Sequence, residues 1–163
     1  MSYTTPNDYK GRFAITQHTT NIQKIQDYIN DVEPKIMNEL LGVELYALFV
    51  QGVEYEDEIY TKLYNEFFEN LHCGLIESKG IIDMLKGFVY WSYYAEDYAS
   101  VSAVGNTVKD GENSTRATDI EANLYTRYNT SIKTYRAIQT YILANLDVYP
   151  TFKGTHKQLI NWF

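Results

Sequence analysis

Cysteine, proline and tryptophan are scarce in this chain. Its 163 residues hold one cysteine, three prolines and two tryptophans. A lone Cys73 excludes a disulfide framework and a cysteine-ligated zinc site within one chain. Basic residues are also short, with 14 Lys and Arg against 21 Asp and Glu and a formal net charge of −7. Sequence-specific nucleic-acid binding needs a basic face to meet phosphate, so it is not expected. No run of about 18 apolar residues occurs, so no membrane span is expected. The opening Met-Ser-Tyr-Thr-Thr-Pro has neither the basic start nor the apolar core of a signal peptide. The expectation is one soluble domain that folds in a cytoplasm. Hydrophobic residues make up 45% of the chain, enough to build a core.

What is abundant is tyrosine, with 16 copies. Codon usage of AT-rich DNA is one source of such a bias. The ring with a polar tip also suits protein–protein contacts.

The periodicity is mainly helical. Residues 1–20 show no sustained period and read as an N-terminal arm. From Asn21, the positions Ile22, Ile25, Tyr28, Ile29, Val32, Ile36 and Leu40 recur at three- and four-residue steps and predict a helix. Pro34 should kink or restart it, and Gly42 should end it before a short helix over 43–50. Residues 56–72 carry the cleanest amphipathic stripe, from Ile59 to Leu71, and predict a helix ending at His72 and Gly74. Residues 78–99 are apolar nearly all round, as in a bundle's central helix or one covered by a second subunit. Val101, Val104 and Val108 flank an Asp110-Gly111 turn signal, which predicts a β-hairpin or ordered loop over 100–117. Thr118 and Glu121 have the capping-box form and should open a long helix to about Leu146. The tail, 151–163, carries Phe152, Trp162 and Phe163 and reads as a docking segment. The predicted fold is mainly α: a helical bundle over 21–150 with an inserted β-hairpin and extended arms at both ends.

The sequence carries no catalytic signature of a nucleophile elbow or a glycine-rich phosphate loop. Glu69-Asn70-Leu71-His72 is an E-x-x-H on a predicted helix, but carboxylate-bridged metal bundles need a second such pair. His18 and His156 have no glutamate three residues before them. His72 and Cys73 point in different directions on a helix, which argues against a Cys–His dyad. Glu56-Asp57-Glu58 lacks the calcium-loop pattern and reads as a solvated helix start. Tyr90, Tyr94 and Tyr98 share one helical face and could serve the core or a neighbouring subunit. No enzyme activity and no cofactor are expected.

The arrangement resembles the small helical head–tail connector (adaptor) proteins of tailed bacteriophages. The resemblance rests on Ile25 to Glu33 (IQDYINDVE) leading into Asn38 to Tyr46 (NELLGVELY). It continues in the aromatic Phe88 to Tyr94 (FVYWSYY), then Val104 to Ala117 (VGNTVKDGENSTRA) and the long helix, so that it spans about 21–150. It implies a structural virion protein of the neck, present in the host cytoplasm before assembly. Copies would form a homo-oligomeric ring, usually twelvefold, beneath the portal, joining the capsid to downstream neck or tail proteins. The candidate contact residues toward subunit, portal or tail are Tyr90, Tyr94, Tyr98, Val104, Val108, Asp110, Gly111, Phe152, Trp162 and Phe163. Two other readings stand beside it: a ferritin-like helical metalloenzyme, and a monomeric helical binding module.

Overall fold

The computed structural model describes residues 2–15, 19–72, 74–98 and 114–159, with side chains except at 19–20, 96–98 and 114–122. Five helices and one hairpin follow in chain order: α1 (Thr19–Leu41), α2 (Val43–Glu54), α3 (Glu58–Tyr64), β1 (Phe67–Leu71), β2 (Gly74–Ser78), α4 (Gly80–Tyr98) and α5 (Ser114–Ala144). The fold is mainly helical with a two-stranded antiparallel hairpin.

The core forms where the apolar stripes meet. Ile25, Ile29, Met37 and Leu40 of α1, Ile81, Met84, Leu85 and Val89 of α4, and Ile132, Tyr135, Ile138 and Ile142 of α5 are all fully buried. α4 packs most extensively on α5 and next on α1, so it is the bundle's central helix. α1 continues through Pro34 rather than restarting there. The proline costs one intrahelical hydrogen bond, at the carbonyl of Asn30, which is an exposed residue. Gly42 ends α1 at φ +82°, where a side chain would be strained. The chain bends there by 111° into α2.

Two sequence expectations are corrected. Residues 56–72 are not one helix: α3 stops at Tyr64, and 67–71 is a strand paired with 74–78 in the register Phe67↔Ser78 to Leu71↔Gly74. A hairpin therefore lies here, and the one expected over 100–117 falls mostly outside the described residues. Its last four positions, 114–117, open α5. Thr118 is consequently inside α5, four residues past its start, and does not cap it.

The described terminal segments, 2–15 and 149–157, hold no α-helix or strand, yet they pack on the bundle. Near the N-terminus, Thr4, Tyr9, Phe13 and Ile15 are buried. Glu33 of α1, itself 1% exposed, holds this segment. Its carboxylate accepts hydrogen bonds from the Tyr3 amide (2.7 Å), the Thr4 amide (3.0 Å), the Thr4 hydroxyl (2.5 Å) and the Ser2 hydroxyl (3.3 Å). At the other end, residues 149–157 form a strap over the last turn of α1. Lys153 N–H donates to the Leu41 carbonyl (3.1 Å) and Thr155 N–H to the Glu39 carbonyl (2.6 Å), while Gln139 Nε2 of α5 donates to the Leu40 carbonyl (3.1 Å). The carbonyls that a helix C-terminus leaves without partners are thus satisfied by tertiary contacts.

Candidate functional site

The twelve residues of α2, VELYALFVQGVE, include only two charges, Glu44 and Glu54. A helix this apolar is normally covered all round. Here only Leu45, Phe49 and Gly52 are buried. The opposite face is open: Val43 is 74% exposed, Leu48 42%, and Tyr55, the residue that ends the helix, 80%. Ala47 and Gln51 are exposed with them. Beyond Tyr55 the chain turns through Glu56, Asp57 and Glu58, all exposed. Asp57 caps α3 by accepting from Ile59 N–H at 3.0 Å.

The hairpin supplies a second uncovered surface. Its inner face is set by Phe67, buried with its ring 5.1 Å from that of Tyr141. Strand alternation sends Phe68 and Leu75 to the outer face, where they are 58% and 71% exposed. Lys79 Nζ lies 5.8 Å from the centre of the Phe68 ring and pairs with Glu66 (2.6 Å) and Glu77 (2.5 Å).

The residues singled out from the sequence are placed differently. Tyr90 is buried, with its ring 5.9 Å from Phe13 and 4.6 Å from Tyr94, and Arg127 sits over it at 4.6 Å. It belongs to the subunit core, which corrects its assignment to an interface. Tyr94 is half-buried against Tyr90 and Tyr93, and this burial pushes its phenol up to about 12. Tyr98 lies in the last turn of α4, but its side chain is outside the described set. Val104, Val108, Asp110, Gly111, Trp162 and Phe163 lie outside the described residues. Phe152 is half-buried on the core as part of the strap, not an exposed anchor.

Glu69 and His72 do not share a helix face: Glu69 is on β1, pairs with Lys62 at 2.7 Å, and His72 is in the hairpin turn. Among the described residues no group of three or more His, Cys, Asp or Glu is placed to hold a metal ion. A cleft of about 270 Å³ lies beside α1, lined by Tyr28, Trp91 and Tyr128 with Asp31 and Lys35 at its edge. Lys157 and Glu39 pair with each other there, so the charges largely balance. Among the described residues no single helix is long and apolar enough to cross a membrane. α1 and α2 reach that apolarity only as a bent pair.

The signal for α2 was legible in the sequence, since Val43, Leu48 and Tyr55 fall on the side of the helix that also carries Glu44, Gln51 and Glu54. The exposed pair on the hairpin was hidden by the misread helix. The distinctive chemistry outside the core is thus a helical bundle with two uncovered apolar faces. Comparison of the chain with models of protein families, with curated proteins and with solved structures finds no match.

Proposed function

We propose that the chain is a structural virion subunit, a head–tail connector that assembles with copies of itself beneath the portal and joins the phage capsid to the tail. The observation that carries this reading is the pair of uncovered apolar surfaces on α2 and on the hairpin. A subunit that must contact both a neighbour and a second kind of protein needs surfaces on more than one element. Large exposed apolar side chains grouped on one face are what a partner covers. The resemblance of 21–150 to phage connectors supplies the class. The tightly tied termini suit a subunit that must stay rigid in an assembly.

The test is reconstitution with the portal protein encoded by the same phage. Mixing the purified chain with portal particles should give a ring at the tail-facing end by electron microscopy, and mass spectrometry of virions should find the chain there. A chain absent from purified particles, which leaves portal particles bare, would overturn the connector reading.

A further inference from the structure

The open face of α2 has a complement on the same molecule. On α5, buried positions such as Leu124, Ser131, Tyr135, Ile138 and Ile142 define the inward face. Diametrically opposite run Thr126, Thr130, Lys133, Ala137, Thr140 and Ala144, spaced alternately by four and three residues. These are exposed or half-buried, and every one but Lys133 is small. Small side chains let another helix approach closely, as ridges entering a groove. The hydroxyls of Thr130 and Thr140 donate to carbonyls of their own helix, at 2.8 and 2.9 Å, so an apolar partner need not satisfy them. At one end the stripe enters an open groove of about 540 Å³ lined by Asn70, Leu71, His72, Thr140 and Ala144.

Charge is also divided unevenly between the stretches of chain that carry these two surfaces. From residue 36 to 61 there are six acidic residues and no Lys or Arg, and from 122 to 163 five Lys and Arg against Asp147 alone. Some of these pair within the subunit, as Lys153 does with Glu44 at 3.0 Å and Lys157 with Glu39. Glu54, Glu56, Asp57 and Glu58 make no ion pair among the described residues, and nor does Lys133. Arg136, one turn from Lys133, is held by the Lys157 carbonyl at 2.9 Å.

We propose that the outer face of α2 packs along the outer stripe of α5 on a second copy of this chain. Both segments are twelve residues, α2 and 133–144, and so each spans about 18 Å. Antiparallel packing brings the two charged ends together. Tyr55 and the acidic turn after it meet Lys133 and Arg136, while Val43 and Leu48 approach the groove at Thr140 and Ala144. Each copy offers both surfaces, so the contact can repeat from copy to copy and close into a ring. The like-charged alternative, α2 packed parallel on α2, would set acidic ends together and is disfavoured. The inference rests on the connector reading for the ring, but the contact itself does not require a virion.

The experiment uses the full chain, by native mass spectrometry and sedimentation over a concentration series. The variants are Tyr55→Ala, E56K/E58K and K133E/R136E, with circular dichroism and thermal melting to check that each folds. The wild-type chain should self-associate, and each variant should weaken association about tenfold or more. A mixture of E56K/E58K with K133E/R136E should recover part of that loss, because each supplies the charge the other now needs. Assembly of the wild type that the folded variants leave unchanged would overturn the α2–α5 contact while leaving the connector reading intact. A wild-type chain that stays monomeric throughout would also overturn the contact. Portal reconstitution would then decide the connector reading separately. Recovery only on adding a basic portal segment, and not between copies, would assign the α2 face to that protein and remove the second copy as its occupant.

Discussion

Glu33 shows how one residue fixes a segment thirty positions away. Its four hydrogen bonds all run from donors on residues 2–4, and two of those are backbone amides with no other partner in the packed segment. Glu33→Ala should destabilise the protein by about 3 kcal/mol, because it strands buried donors as well as removing bonds to a charged group. Urea denaturation measures the loss, and limited proteolysis should cut within 2–15. Burial pushes the Glu33 carboxyl up, opposed by its hydrogen bonds. The folded state therefore holds the proton to higher pH than the unfolded chain. That contribution to stability is full below the unfolded value near 4.3 and is lost as pH rises through the raised folded value. Across this interval the wild type should lose stability relative to Glu33→Gln, and parallel pH profiles would refute the assignment. Gly154 makes a second residue-scale case. A Cβ there would overlap the Leu40 carbonyl oxygen and lie 2.6 Å from Gln139 Nε2. Gly154→Ala should lift the strap and cost about 2 kcal/mol, read as a shift in the urea midpoint without a change in slope.

At the scale of elements, the decisive case is 59–71. Ile59, Tyr60, Leu63, Tyr64, Phe67, Phe68 and Leu71 satisfy a helical period, yet Phe67, Glu69 and Leu71 also satisfy a period of two. Tertiary contacts choose between them: Phe67 packs on Tyr141 while Phe68 faces outward. In a helix both phenylalanines would join the buried stripe, but in a strand they part. Phe67→Ala should therefore cost about 3 kcal/mol and Phe68→Ala about 0.5 kcal/mol or less, both from urea titration. Equal losses would restore the helix. The helices themselves were more legible. α1 and α5 follow from sustained stripes, long enough that one period dominates, and α4 from an apolar run too long for a strand. Their ends were less so. Thr118 and Glu121 have capping-box spacing, but the pattern does not say where a helix begins when polar residues upstream also tolerate helix. α5 starts at Ser114. Of the tyrosine stripe, Tyr90 serves the core, one of the two uses the sequence left open, and Tyr94 is half-buried beside it. Ring position along α4 is visible in sequence, whereas the cover that Phe13 and Arg127 give Tyr90 comes from distant segments.

For the whole molecule, the two ends of the chain decide how far it behaves as one body. Non-periodic termini with aromatic residues look like free arms in sequence, because periodicity reports helices and strands but not extended segments fastened by side chains. The strap of 149–157 is fastened at many points. Tyr149 Oη donates to the Ile59 carbonyl at 2.8 Å, Tyr135 Oη to the Thr155 carbonyl at 2.6 Å, and Gln139 Nε2 to that same carbonyl at 3.0 Å. It thereby links α3, α5 and the end of α1. Removing 151–163 should consequently do more than free a tail. The Glu39 and Leu41 carbonyls would lose their donors, and the last turn of α1 would fray at the bend into α2. Hydrogen exchange reads this directly. In the intact chain the Lys153 and Thr155 amides should exchange slowly, because both are bonded to carbonyls in the last turn of α1. In the truncated chain, exchange should quicken through the last turn of α1 and into α2, while residues 130–142 stay protected. The open face of α2 would then lose the fixed angle at which it is presented, so self-association should weaken even though none of its own residues has changed. A truncated chain that keeps slow exchange in α1 and α2 would mean the strap only lies on the bundle and does not hold it.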